Sequence, residues 1–178
     1  KIKLSVSDNT EIEIDVLGVG DDKISTKLEE NTGGLAAKNM FAENNIDGGL
    51  KIEIEKGIPP GKGLGSSAAA ILAGLMAGST LSKANLSQDR LLQLAVEVEG
   101  HPDNLVATMN GGCQIVVAHE SSFTNAPIPI SDELRAVIYV PDKKMPTKES
   151  RSLLSDKVSR SDAVFNLSRV ALLVRSLI

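Results

Sequence analysis

The sequence predicts an α+β fold, and three observations carry that prediction. Alternating apolar and polar segments cluster early, at 2–6, 12–16 and 50–55. An alanine-rich apolar segment, 68–77, has the composition of a buried helix. After it, helical and strand-like patterns mix without the strict alternation of a parallel βαβ chain. The chain has 178 residues, 42% of them hydrophobic and 24% charged, enough for one ordinary domain with a substantial core.

Taken in order, Ile2, Leu4 and Val6 alternate with Lys1, Lys3 and Ser5, and Ile12, Ile14 and Val16 alternate with Glu11, Glu13 and Asp15. Two such strands separated by Ser7-Asp8-Asn9 predict a hairpin with one apolar face. Leu17 to Asp22 reads as a loop and Gly33-Gly34 as a turn. Leu35, Ala36, Met40 and Phe41 predict a short helix over 35–43, ended by Asn44-Asn45. Asp47-Gly48-Gly49 then turns into a strand at 50–55.

Beyond the central helix, Ser87 is placed to cap a helix whose buried stripe is Leu91, Leu94, Ala95 and Val98. Gly100 can end that helix and Pro102 prevents its continuation. Residues 112–119 read as a strand, 123–130 as a proline-containing connector, and Arg135 to Val140 as a second core strand. Residues 141–146 are an expected exposed loop. Thr147 is expected to cap a short helix through Leu154, and 163–178 reads as a strongly apolar helix.

Composition excludes several functions. With 19 basic and 23 acidic residues, three Phe, one Tyr and no Trp, the chain lacks the basic excess and stacking platforms of a nucleic-acid binder. No apolar run reaches membrane-spanning length and no signal peptide is visible. The single Cys113 allows no internal disulfide, reads as buried packing, and suits a reducing, cytoplasmic location. A start at Lys1 and a stop at Ile178 within a helical pattern suggest a piece of a longer protein.

The chain is organised around Pro59-Pro60-Gly61-Lys62-Gly63-Leu64-Gly65-Ser66-Ser67-Ala68. A strand leads in, glycines follow, and two hydroxyls stand where a helix begins. Unpaired N–H groups and the positive end of the helix dipole attract phosphate there. Gly61, Gly63 and Gly65 let the backbone approach an anion closely. Ser66 and Ser67 can cap the helix or bind phosphate and metal, and Lys62 can add charge. A P-loop does not fit, because Gly63 follows Lys62 and position 56 is lysine. A dinucleotide fingerprint fails as well, its third glycine falling one position early at Gly65. The plain alternative is a tight turn feeding a buried helix.

Pro-Pro-Gly-x-Gly-Leu-Gly-Ser-Ser-Ala-Ala resembles the phosphate-binding motif of the GHMP kinases, the galactokinase, homoserine, mevalonate and phosphomevalonate kinase superfamily. Within it, Glu97-Val98-Glu99-Gly100-His101-Pro102-Asp103-Asn104, followed by Gly111-Gly112, is similar to the bacterial homoserine kinases. The similarity runs from about Leu50 to about Leu154. It implies a two-layer fold of the ribosomal-protein-S5 type over 1–145, an ATP-binding domain, and the start of a ferredoxin-like second domain over 146–178.

The resemblance also implies roles. ATP phosphates would lie on residues 59–68, and Mg²⁺ would take oxygens from Ser67 and a carboxylate at the end of the helix before Gly100. Ala95 to Glu99 matches the family spacing for that carboxylate; Glu97 is the alternative, and either could be a solvated helix residue. His101, Asp103 and Asn104 would form the catalytic cluster, with His101, Asn104 and Arg151 contacting the substrate, L-homoserine. Mevalonate-kinase relatives carry an Asp base where Asn104 aligns, and an amide cannot take a proton. Asn104 would then orient the hydroxyl, with Asp103 the competing base. Arg151, in a Thr-Lys-x-x-Arg segment, would grip the substrate carboxylate. Without the resemblance, His101 would be a surface residue, Asp103-Asn104 a helix cap and Arg151 an exposed arginine.

The sequence departs from the family at both ends, lacking the N-terminal Asn-Leu-Gly-Pro-Gly-Phe-Asp and C-terminal Ser-Gly-x-Gly-Pro segments. The competing readings are another small-alcohol GHMP kinase of mevalonate or shikimate type, and a non-catalytic S5-like module. A homodimer is compatible with the first reading, whereas nucleic-acid and membrane partners are not expected.

Overall fold

The computed structural model describes residues 1–8, 11–18, 24–44, 49–120, 122–140, 155 and 157–178. The fold is α+β. Strands β1 (Ile2–Ser7), β2 (Ile12–Gly18) and β3 (Gly49–Lys56) form one sheet, in the order β1-β3-β2. Helices α1 (Thr32–Glu43), α2 (Ser66–Leu81), α3 (Gln88–Glu99) and α4 (Asp103–Asn110) follow the chain, with a short 3-10 turn at Leu28–Glu30. Strands β4 (Cys113–Ala118) and β5 (Phe123–Ile128) pair as a second sheet, and α5 spans Arg160–Leu177.

The expected β1–β2 hairpin does not form. β3 lies between them, antiparallel to β1 and parallel to β2, so that Val6 and Ile12 both face Leu50. β3 carries the most deeply buried alternation of the three, with Leu50, Ile52 and Ile54 each no more than 4% exposed. The central position gives it a ladder on both edges, and its loss to an edge would leave one set of backbone groups unpaired. On the outer face, Lys3 pairs with Glu53 at 3.1 Å and Lys51 with Asp15 at 3.6 Å across the strands. Such exposed pairs contribute little, about 0–1 kcal/mol each.

The inner face of the sheet packs on Ala37 and Phe41 of α1. A second apolar cluster joins Ala36 and Met40 of α1 to Ile71, Leu72 and Leu75 of α2, and then to Leu91, Leu94, Ala95, Leu105 and Val106 of α3 and α4. α2 is thus buried between α1 on one side and α3 and α4 on the other. Gly33 and Gly34 are not a turn, as expected, but the first turn of α1, which starts at Thr32 with Asn31 as its cap. The contact surface explains the choice of glycine. A methyl on Gly74 would sit 2.2 Å from the Gly33 carbonyl oxygen, and one on Gly78 2.9 Å from Met40 Cβ. The α1–α2 interface is closer than any side chain permits.

Other expectations are corrected further along. Val98 is 44% exposed and leaves the buried stripe of α3, where Leu92 is buried instead. Residues 123–128 are no connector but strand β5, antiparallel to β4, with Pro127 opposite Gln114 near the strand end. A proline is tolerated on such an edge because no donor is required of it. Arg135 to Val140 form no strand. Val137 is 96% and Tyr139 87% exposed, and β propensity without a partner ladder does not make a strand. Leu17 and Gly18 end β2 rather than opening a loop. Cys113 begins β4 and is half-buried rather than buried. The apolar helix of 163–178 is α5, with no buried residue. The loop at 141–146, the domain boundary near 146 and the helix after Thr147 lie outside the described residues.

The α1–α2 contact generates a test. Gly74→Ala would overpack the interface and should lower stability by roughly 1–3 kcal/mol or more. Exposed glycines have no such constraint, so Gly57→Ala should change the melting temperature little. Equal, small shifts for both would refute the close-packed interface.

Candidate phosphate-binding loop and adjoining carboxylate

Residues 57–65 connect the buried strand β3 to the buried helix α2, and the backbone must turn tightly between them. Gly61, Gly63 and Gly65 have φ of 66°, 71° and 70°, a region that side chains disfavour. At Gly61 and Gly63 a methyl would meet nothing within 4 Å, so the glycines are there for backbone shape and an open approach. Gly65 is the residue immediately before α2, and no side chain caps the helix. Pro59, Pro60 and Leu64 are half-buried walls, and Lys62 is also half-buried. The Ala68 side chain is fully buried, which leaves only its backbone for the loop.

Neither serine caps α2; each hydroxyl has another partner. Lys56 Nζ donates to Ser66 Oγ at 3.2 Å, and Ser67 Oγ donates to Glu99 Oε2 at 2.8 Å. The second bond joins residues 32 apart in sequence and fixes the end of α3 against the start of α2. Glu99 is therefore the carboxylate that reaches the loop. Glu97, two residues earlier, is turned by about 200° around the helix. It is exposed and lines a different cavity of about 710 Å³, together with Asp89 and Gln93 of α3 and His119 and Phe123 after β4. Neither the glycine loop nor Ser67 lines that cavity.

α3 ends as its sequence dictates. Ser87 Oγ accepts from Arg90 N–H at the start, and Gly100 closes the helix at φ 86°. Pro102 is buried and stands directly before α4. The two polar residues that follow belong to that helix. Asp103 Oδ1 accepts from the Asn104 backbone N–H at 2.6 Å, and His101 Nδ1–H donates to the same oxygen at 3.0 Å. Asp103 thereby holds the His101 ring, whose side chain is 20% exposed. Asn104 lies beside the loop: a methyl on Gly65 would sit 3.5 Å from its Oδ1.

The structure thus brings together the loop, Ser67, Glu99 and Asn104, with His101 and Asp103 on the same turn. Arg151 lies outside the described residues. A residue missed in the sequence is Lys56. It shares the period-two face of Ile52 and Ile54, which points it inward, and burial holds its ammonium below the ordinary lysine value.

Chemically, uncapped N–H groups at the start of α2 can take phosphate oxygens. Ser67 Oγ and the Glu99 carboxylate are hard oxygens side by side, the donor type that suits Mg²⁺ with water and phosphate completing its shell. Among the described residues there is no cluster of three or more His, Cys, Asp or Glu that could hold a metal alone.

Residues 30–112 match the family described as GHMP kinases N terminal domain. A homoserine kinase of Nostoc punctiforme is 41% identical over 128 residues, covering 72% of this chain and 42% of that protein. A homoserine kinase of Trichodesmium erythraeum is 33% identical across 99% of this chain and 58% of that protein. The crystal structure of homoserine kinase from Cytophaga hutchinsonii superposes with a TM-score of 0.82 at 30% identity, covering 99% of this chain and 57% of that one. The chain therefore spans about half the length of these relatives.

The two carboxylates can be separated experimentally. Glu99→Gln should weaken Mg²⁺-dependent nucleotide binding by roughly tenfold to a hundredfold, as expected when one anionic partner is lost. Glu97→Gln should leave that binding within about twofold. Calorimetry with and without Mg²⁺ reads both, and the reverse order would move the metal to the other face of α3.

Proposed function

We propose, from the premise that residues 30–112 are a GHMP kinase N-terminal domain, that this chain carries the nucleotide-binding and phosphoryl-transfer chemistry of a homoserine kinase. The reaction would join ATP and L-homoserine to give ADP and O-phospho-L-homoserine, a step of threonine synthesis in the cytoplasm. The observation that carries the reading is the Ser67–Glu99 contact at the mouth of the glycine loop. A hydroxyl and a carboxylate side by side at the start of α2 support a cation there beside a bound triphosphate.

In this reading the substrate hydroxyl oxygen bonds to the γ-phosphorus as the bond to the bridging oxygen breaks. The hydroxyl proton ends on the transferred phosphoryl group. Phosphoryl transfer depends on positioning and charge neutralisation more than on covalent chemistry, which suits a site of hydroxyl, carboxylate and amide groups beside a helix N-terminus. Mg²⁺, held by Ser67 and Glu99, would neutralise phosphate charge. The N–H groups at the start of α2 would hold the phosphates in line. Asn104, beside Gly65, would orient the hydroxyl without removing its proton.

The Asp103 carboxylate faces His101 and the Asn104 backbone, so it supports the turn and fits a positioning role better than that of a base. His101 would face the substrate through its other ring nitrogen. Arg151 is the proposed partner for the substrate carboxylate, on the strength of the Thr-Lys-x-x-Arg resemblance alone.

The test is turnover of ATP by the full-length protein against homoserine, mevalonate and shikimate. Homoserine should be preferred, and Arg151→Ala should raise its KM roughly tenfold to a hundredfold while leaving KM for ATP unchanged. Preference for mevalonate or shikimate would reassign the substrate within the superfamily. ATP binding without turnover of any alcohol would argue for a non-catalytic module.

A further inference from the structure

The cavity beside Glu97 takes no part in the proposed chemistry. It lies between α3 and the turn that joins β4 to β5, and its volume of about 710 Å³ falls within the roughly 300–1,000 Å³ of small-molecule sites. Both walls are fixed. On its other side α3 is anchored by the buried Leu91, Leu94 and Ala95. Across the gap, the His119 backbone N–H donates to the Ser122 carbonyl at 2.8 Å and closes the turn. Part of the lining is apolar, since Val96 and Phe123 are half-buried and Pro102 is buried.

The carboxylates of the lining stand apart from one another and from any cation. Asp89 and Glu97 lie on α3, eight residues and about 12 Å apart along its axis, and Glu120 belongs to the opposite wall. Among the described residues no lysine or arginine lines the cavity; Arg90 bonds the Gln93 amide at 3.4 Å without forming part of the wall. Elsewhere Asp15, Glu30, Glu53 and Glu55 each have a lysine within 4.0 Å, whereas Asp89, Glu97 and Glu120 have none among the described residues. Glu97 also opposes the helix dipole without the hydroxyl partner that Glu99 has. This lining rejects several ligands. ATP, or the carboxylate of an amino acid, would meet like charge with no basic partner. A bare metal ion needs its ligands together, and no three His, Cys, Asp or Glu among the described residues could hold one. An uncharged ligand would bury carboxylates unpaired. Separated negative charges with apolar surface between them complement a cation whose own charges are spaced along hydrocarbon.

We infer that this cavity is a second binding site, which takes a small organic polyamine. Its ammonium groups pair with Asp89, Glu97 and Glu120, and its methylene chain lies along Val96 and Phe123. The site is on a different face of α3 from the glycine loop, shares no lining residue with it, and stands independently of the nucleotide reading.

The experiment is calorimetric titration of spermidine, a triamine, into the full-length protein without nucleotide. Asp89→Asn, Glu97→Gln and the doubly substituted form are compared with Glu43→Gln, which removes a carboxylate of α1 outside the cavity. Spermidine should bind saturably, one molecule per chain, and more tightly than the diamine putrescine. Each cavity substitution should weaken it about two- to fivefold, the range of one exposed ion pair, and the double form by about the product of the two. Glu43→Gln should leave the affinity nearly unchanged. Equal losses for Glu43→Gln and the cavity forms would mean attraction to net charge alone and would overturn the inference. Failure of spermidine to bind saturably would overturn it too. So would a trilysine peptide that binds more tightly than spermidine with the same dependence on Asp89 and Glu97, because the cavity would then belong to a basic protein segment.

Discussion

A helix buried on several sides and left uncapped at its start is the constraint on which the structure depends. α2 is enclosed by α1, α3 and α4, and Gly74 and Gly78 bring α1 nearly to backbone contact. With so many neighbours the axis of α2 has little freedom. Its first N–H groups are consequently aimed at one place, the bend formed by three glycines at positive φ. Burial of the helix supplies the direction, and the loop supplies the opening.

The remaining site residues reach that place by helix termination. Gly100 and Pro102 stop α3 and restart the chain as α4 within three residues, so that Glu99, His101, Asp103 and Asn104 fall on one short stretch. Glu99 stands in the last turn of α3, where the helix dipole disfavours a carboxylate. The Ser67 hydroxyl partly offsets that cost, at 2.8 Å, and a divalent cation would offset more of it. A site assembled from the ends of three helices has its groups placed by packing rather than by loop conformation.

Much of this was legible in the sequence, and the unread parts share a physical cause. The glycine loop, the Ser87 cap and the Gly100 stop are local signals, set by backbone torsion and by hydrogen bonds a few residues apart. Strand order is not local. The Ser7-Asp8-Asn9 link suggested a hairpin, but the burial of Leu50, Ile52 and Ile54 placed β3 in between, and only long-range packing decides that. Gly33-Gly34 looked like a turn because a glycine pair carries no sign of a helix lying against it. Pro127 disguised β5, since proline excludes a central strand but not an edge. Val137 to Val140 have strand propensity with no described ladder to join. In the site, the contact of Glu99 with Ser67 depends on the rotation of α3, and Lys56 was readable only as the inward parity of β3.

The central claim is that a triphosphate lies over the start of α2, with its cation between Ser67 and Glu99. A crystal structure of the full-length protein with Mn²⁺ and a non-hydrolysable ATP analogue tests it most directly, because manganese is located by anomalous scattering. The account predicts one manganese peak in coordinating contact with Ser67 Oγ and the Glu99 carboxylate, and phosphate oxygens on the N–H groups of 63–67. A peak in the cavity beside Glu97, or phosphates bound away from the glycine loop, would contradict it.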